Sequence, residues 1–243
     1  MGRDGRAPWV GATARADVRR LETLMVHSVE GFLSGAETRR LLALMDGAVP
    51  DPTVFAAPRR TTSIHAIRGM TRRAAAGVYE PRGRIEVVGL PGPATALLDA
   101  ALERHAAAVR RSFPSLHRCE GWVYVEYGVG QHIRPHVDFA RDDTDPRRRK
   151  VAGVTLLLHP ADAGGEFTVY TCGADALWER GRRGLSIPQR LGPESPEFRA
   201  LATTPWTVRQ RPGTAVFYGA HVIHGTARVR RGRARKIIGF LGA

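Results

Sequence analysis

The stretch Tyr127-Gly-Val-Gly-Gln-His132-Ile-Arg134-Pro-His136-Val-Asp138-Phe-Ala-Arg141 decides how this chain is read. Residues two apart on an extended strand point to the same face. His136 and Asp138 can therefore aim an imidazole and a carboxylate at one point. A third ligand from another strand would complete a two-histidine, one-carboxylate set. Such a set occupies one face of an octahedral Fe(II) ion and leaves three positions open. Zinc accepts the same donors, so a zinc hydrolase competes at this level. His-x-Asp alone is a weak signal, and its company along the chain makes it a strong one.

That company comes in order. Gly164-Gly165-Glu166-Phe167 opens a strand, Gly213-Thr-Ala-Val-Phe-Tyr218 forms another, and His224 is followed by Val229 and Gly232. Together with Tyr127 and Pro135-His136-Val137-Asp138-Phe139, these motifs resemble the prolyl 4-hydroxylase-like family of Fe(II)- and 2-oxoglutarate-dependent dioxygenases. The resemblance covers residues 120–243 well and residues 25–118 loosely. It implies an α+β chain with a mainly β core, a double-stranded β-helix (jelly roll) with N-terminal helices packed on one sheet. It implies His136, Asp138 and His224 as metal ligands. His221 competes with His224, but only His224 has the valine and glycine at the family's offsets. Fe(II), 2-oxoglutarate as co-substrate and O2 follow from the same resemblance, with ascorbate as a stimulant. The 2-oxoglutarate signature counts against zinc.

A 2-oxoglutarate site needs a cation for the distal carboxylate. A planar guanidinium can grip a carboxylate through two parallel hydrogen bonds. The family places Lys or Arg ten positions after the distal histidine, and here that position is Ala234. Arg233 and Arg235 flank it and share one strand face, opposite Lys236. Arg235 is the expected partner, with Arg233 second, and Tyr127 is expected to donate its hydroxyl to the same carboxylate. Relatives that halogenate carry a small residue in place of the iron-binding carboxylate. Asp138 therefore implies hydroxylation, although desaturation and ring closure use the same ligands.

Length and composition set the frame. A chain of 243 residues suits one domain. Residues 1–20 read as a polar tail without the apolar core of a signal peptide, and residues 21–243 as a single dioxygenase domain. Within it, residues 21–118 form a helical support region and residues 119–243 the β-helix core. No apolar run is long enough to cross a membrane. Two cysteines, Cys119 and Cys172, make no disulfide framework, and a cytoplasmic setting is expected. The formal charge is +14, but of 37 basic residues only Lys150 and Lys236 are lysines, and the arginines are spread along the chain. Such a balance speaks to non-specific association, and no nucleic-acid partner is expected. The sequence leaves the oligomeric state open.

Local patterns add detail. Met25–Val29 alternates like a short strand. Ser34 and Glu37 form a Ser-x-x-Glu capping box ahead of a helix to about Asp46. Residues 49–73 read as loop and strand. Pro93 suits the start of a helix running to Phe113. From Gly121 onward the texture is β, with strands expected at 122–127, 151–159, 166–170, 214–218 and 236–241. Residues 172–211 hold Trp178, Trp206 and four prolines, and read as a substrate-covering insert. Substrate contacts are expected from His132, Arg134 and Trp178. The expected function is hydroxylation of a small molecule such as an amino acid or secondary metabolite, with peptidyl hydroxylation as the alternative.

Overall fold

The computed structural model describes residues 21–49, 71–80, 83–138, 150–172 and 203–242. In chain order the elements are β1 (Val26–Val29), α1 (Gly35–Ala48), α2 (Arg72–Tyr79), β2 (Ile85–Val88), α3 (Gly92–Ser112), β3 (Arg118–Tyr127), β4 (Ile133–His136) and β5 (Lys150–His159). They continue with β6 (Phe167–Cys172), β7 (Thr203–Val208), β8 (Ala215–Gly219), β9 (Ile223–Thr226) and β10 (Ala234–Gly242). No helix among the described residues is long and apolar enough to cross a membrane.

The helices start where their caps dictate. Glu37 N–H donates to Ser34 Oγ at 3.2 Å and Ser34 N–H donates to Glu37 Oε2 at 2.7 Å, so both halves of the capping box form. Helix α2 falls partly in the region expected to be loop. Its signal was Thr71, whose hydroxyl accepts from Ala74 N–H at 3.2 Å ahead of an alanine run that favours helix.

All the strand pairs are antiparallel and build two sheets, as the jelly-roll expectation requires. The larger runs β1-β8-β5-β10-β3-β2 and the smaller β4-β9-β6-β7. Residues of the larger sheet alternate between two cores. Trp122, Tyr124, Phe217, Ile237 and Leu241 pack with Leu41, Met45, Leu98 and Val109 of α1 and α3. Val123, Val125, Tyr127, Ile238 and Phe240 pack on the opposite, inward side with Ile133 of the smaller sheet. The middle strands β5 and β10 are therefore buried on both faces.

The expected insert at 172–211 is narrower, because Cys172 ends β6 and Thr203–Val208 form β7 of the smaller sheet. Trp206 lies on that strand, while Trp178 falls outside the described residues. Gly164, at φ 80°, sits where a side chain would meet the Arg228 carbonyl at 2.0 Å. The Gly-Gly turn thus lets the β5–β6 connection close against the segment between β9 and β10.

Candidate active site

His136 and His224 are register partners on the adjacent strands β4 and β9. That pairing places the two imidazoles side by side, with ring centroids 4.4 Å apart. Asp138 lies just beyond the end of β4, and all three residues are buried. His136 Nδ1 lies 2.7 Å from the Arg134 carbonyl and His224 Nδ1 2.9 Å from the Val222 carbonyl. A carbonyl only accepts, so each Nδ1 carries the proton and each Nε2 keeps its lone pair. Those two Nε2 atoms stand 3.6 and 3.7 Å from Asp138 Oδ1. Separations of this length are too long for hydrogen bonds.

The donor chemistry fits a divalent metal. The three candidate ligand atoms lie within 4.8 Å of one another. Asp138 Oδ2 is buried with no hydrogen-bond partner among the described residues, as expected of a carboxylate that waits for a cation. Burial above all, helped by the neighbouring His224 and opposed by Asp138, pushes His136 down to about 3, so its ring is neutral at ordinary pH. Neutral imidazole is the metal-binding form. Around the rings, Tyr79 of α2 packs edge-on to His136 at 5.6 Å, and Tyr218 lies 4.2 Å from the His224 centroid.

The cluster opens into a small cavity of about 30 Å³ between the sheets. Its polar lining includes Arg84, Tyr127, Thr226 and Lys236, and its apolar lining Ile133, Phe167, Ile238 and Phe240. Lys236 is 1 % exposed, and its Nζ donates to Thr226 Oγ1 at 3.4 Å. It forms no ion pair among the described residues. Burial first, and then Arg84, push its ammonium down to about 7, against the opposing field of Glu166. Arg84 differs, because Glu80 and Glu86 each lie 3.4 Å from its guanidinium and balance its charge.

The expected co-substrate arginines are elsewhere. Arg235 Nε donates to the Tyr124 hydroxyl at 2.6 Å, and its Nη2 pairs with Asp46 of α1. Arg233 Nη1 pairs with Glu126 at 3.1 Å. The reading that these two share a face opposite Lys236 holds, but the inward face belongs to Lys236. The family's tenth position, Ala234, is also on that inward side. Tyr127 does line the cavity. His132 and Arg134 do not; His132 Nδ1 lies 3.3 Å from the Gly130 carbonyl, and Arg134 contributes its backbone carbonyl while its side chain is exposed. His221 stays outside the metal-ligand cluster. Lys236, Arg84, Thr226 and Tyr218 were missed. One signal for Lys236 was present: in a chain whose cations are nearly all arginine, a lysine sits inside an apolar strand.

Residues 122–241 match the model of the 2OG-Fe(II) oxygenase superfamily. No curated protein sequence matches the chain. Among solved structures, a Pseudomonas putida prolyl-4-hydroxylase superposes with a TM-score of 0.55 at 19% identity, covering 94% of this chain and 97% of that one. HygX from Streptomyces hygroscopicus, with nickel and 2-oxoglutarate bound, superposes at 0.51 and 15% identity, covering 94% and 86%. A viral collagen prolyl hydroxylase from Paramecium bursaria Chlorella virus-1, in its 2-oxoglutarate complex, gives 0.51 at 14% identity, covering 89% and 94%. The chain belongs to the 2OG-Fe(II) oxygenase superfamily and is a 2-oxoglutarate-dependent dioxygenase that uses Fe(II) and 2-oxoglutarate. This membership sets aside the zinc hydrolase.

Proposed function

We propose that the chain hydroxylates an unactivated C–H bond of a small molecule, such as an amino acid, an amino-acid-derived unit or a secondary metabolite. His136, Asp138 and His224 would hold the iron. The distal carboxylate of 2-oxoglutarate would lie against Lys236, Thr226 and Tyr127, in place of the Arg235 site expected from the sequence. The observation that carries this reading is one cavity with two complementary needs. It is lined by two imidazole nitrogens and a carboxylate oxygen that has no hydrogen-bond partner among the described residues. The same lining holds a buried ammonium with no ion pair among the described residues. Iron, 2-oxoglutarate and O2 together supply the oxidising power that puts oxygen into the C–H bond, with succinate and carbon dioxide as the other products.

The chain's own residues bind, orient and exclude water. The backbone carbonyls of Arg134 and Val222 fix the tautomers and ring directions of the two histidines. Ile133, Phe167, Ile238 and Phe240 keep the walls apolar, which strengthens every charge contact inside. A cytosolic setting goes with this reading, since Cys119 is a free thiol.

One observation favours a peptidyl substrate instead. Strand β7 is an edge of the smaller sheet, its first five residues are exposed, and Trp206 on it is 60 % exposed. An extended peptide could pair along such an edge. The test is stimulation of 2-oxoglutarate decarboxylation by a panel of free amino acids and metabolites beside proline-containing peptides. Stimulation by members of the first group alone supports the small-molecule reading, and stimulation by peptides alone overturns it.

A further inference from the structure

We propose that Arg84 is a positioning residue that fixes the direction in which the Tyr127 hydroxyl donates, and so tunes the cavity for a carboxylate. The inference rests on the reading that the distal carboxylate of 2-oxoglutarate lies against Lys236, Thr226 and Tyr127. Arg84 directly precedes β2, whose register partner β3 ends at Tyr127. Ile85 pairs with Glu126, so the next step along the ladder sets Arg84 beside Tyr127. Arg84 Nη1 donates to the Tyr127 hydroxyl oxygen, and its guanidinium carbon lies 5.5 Å from the Tyr127 ring centroid.

A guanidinium has donors and no acceptor. The Tyr127 oxygen must therefore accept from Arg84, and its own proton has to point away from Arg84. The proton is left to face Thr226 and the cavity that both residues line. Lys236 repeats the arrangement, because an ammonium too can only donate, and it donates to Thr226 Oγ1 at 3.4 Å. Two donor-only cations thus stand behind two hydroxyls. Neither hydroxyl needs its proton for the cation behind it, so both protons are left to face the cavity. That surface presents donors only, which suits a carboxylate and rejects a neutral group that must itself donate.

Arg84 can hold this posture because its charge is already matched. Glu80 Oε1 lies 3.4 Å from Nε and Glu86 Oε2 lies 3.4 Å from Nη2, and all three side chains are buried. Nη2 donates to Glu86, Glu80 balances the charge beside Nε without a hydrogen bond, and Nη1 is the corner that remains for Tyr127. Buried ion clusters contribute little net stability, so orientation is the property this one secures. A lysine at this position would keep the charge but lose the fork that reaches three partners at once.

The test is a double-variant cycle read by binding. Wild type, Tyr127→Phe, Arg84→Lys and the double variant are loaded with Mn(II) and titrated with 2-oxoglutarate by calorimetry, without oxygen. Melting temperatures check folding. Should Arg84→Lys melt early, Arg84→Gln combined with Glu86→Gln removes one charge of each sign and serves in its place. Tyr127→Phe is expected to weaken 2-oxoglutarate about tenfold, Arg84→Lys by a similar factor, and the double variant by no more than Tyr127→Phe alone. Mn(II) affinity is expected to be the same in all four. If Arg84→Lys binds 2-oxoglutarate like wild type, or weakens it equally in both backgrounds, Arg84 does not act through Tyr127 and the inference falls. If Tyr127→Phe and Lys236→Met both leave 2-oxoglutarate affinity intact, the underlying reading of this part of the cavity lining falls first.

Discussion

Strand β10 carries neighbouring cations on opposite faces of one sheet, and the fold treats them differently. Arg235 faces the helices, with its side chain 17 % exposed, and it is matched by Asp46, Glu126 and the Tyr124 hydroxyl. Lys236 faces the cavity, is buried, and among the described residues has the Thr226 hydroxyl as its one hydrogen-bond partner. On the helix-facing side the charge of Arg235 is matched within the protein, and the buried atom left without a hydrogen-bond partner there among the described residues, His105 Nε2, is an uncharged ring nitrogen stacked beside Phe32. Among the described residues, the inward side leaves an ammonium without an ion pair and a carboxylate oxygen without a hydrogen-bond partner. Unmatched buried charges are costly, so an ammonium and a carboxylate left unmatched in one cavity mark where ligands belong. Substitutions on the inward face are therefore expected to change ligand binding, and those on the helix side to change stability.

The sharpest contrast is Lys236→Met against Arg235→Met. Removing the cavity cation is expected to weaken 2-oxoglutarate about a hundredfold in anaerobic titrations of Mn(II)-loaded protein, roughly the worth of a hydrogen bond to a charged group plus the stranded carboxylate. Arg235→Met is expected to leave that affinity within about threefold and to cost on the order of 1 kcal/mol of stability. The reverse ranking would dismantle the comparison.

The pH dependence sharpens it further. A carboxylate favours the charged ammonium, and burial holds Lys236 at about 7 in the ligand-free protein. As pH rises through about 7 the ammonium empties, and 2-oxoglutarate affinity is expected to fall by about tenfold per unit. A flat profile from pH 6 to about pH 9 would show that Lys236 does not carry the anion. Stability moves the other way. The folded lysine titrates at about 7 and the unfolded one at 10.5, so across that window the unfolded chain binds the extra proton. This group's contribution to ligand-free stability accordingly increases as pH rises between those values. Lys236→Met should flatten that increment in denaturant titrations.

Two smaller effects test the packing beneath each face. Under the cavity, a Cβ at Gly153 would stand 2.5 Å from the Tyr218 ring, which itself packs on His224. Gly153→Ala is expected to cost about 1–3 kcal/mol in thermal melts and to lower metal affinity, because the displaced ring presses on a ligand. On the helix side, Ser34→Ala should cost about 1 kcal/mol with metal and 2-oxoglutarate affinities unchanged.

The same contrast explains what was legible in the sequence. Motifs whose geometry is local were readable: His136 and Asp138 from their spacing, the Ser34–Glu37 capping box from its pattern, and the strands from their composition. The cation was not, because strand parity assigns faces only where one face is polar. On β10 both faces are apolar, with Ile237 and Leu241 packed under the helices and Ile238 and Phe240 lining the cavity. Nothing in the alternation said which set looked inward, and the abundance of arginine drew attention to Arg233 and Arg235. Arg84 was hidden for another reason. Its role comes from β2 pairing with β3, a contact between residues 43 positions apart. Strand β7 was masked by the prolines and exposed polar residues that made its surroundings read as an insert.

The most direct measurement is succinate release from 2-oxoglutarate after oxygen is admitted to anaerobically Fe(II)-loaded protein, with wild type beside Asp138→Ala. Succinate is expected from wild type and only background from Asp138→Ala, with Lys236→Met in between and recovering at high 2-oxoglutarate. Equal succinate from wild type and Asp138→Ala, or none from either together with no iron-dependent binding of 2-oxoglutarate, would contradict the assignment of His136, Asp138 and His224 as the working metal centre.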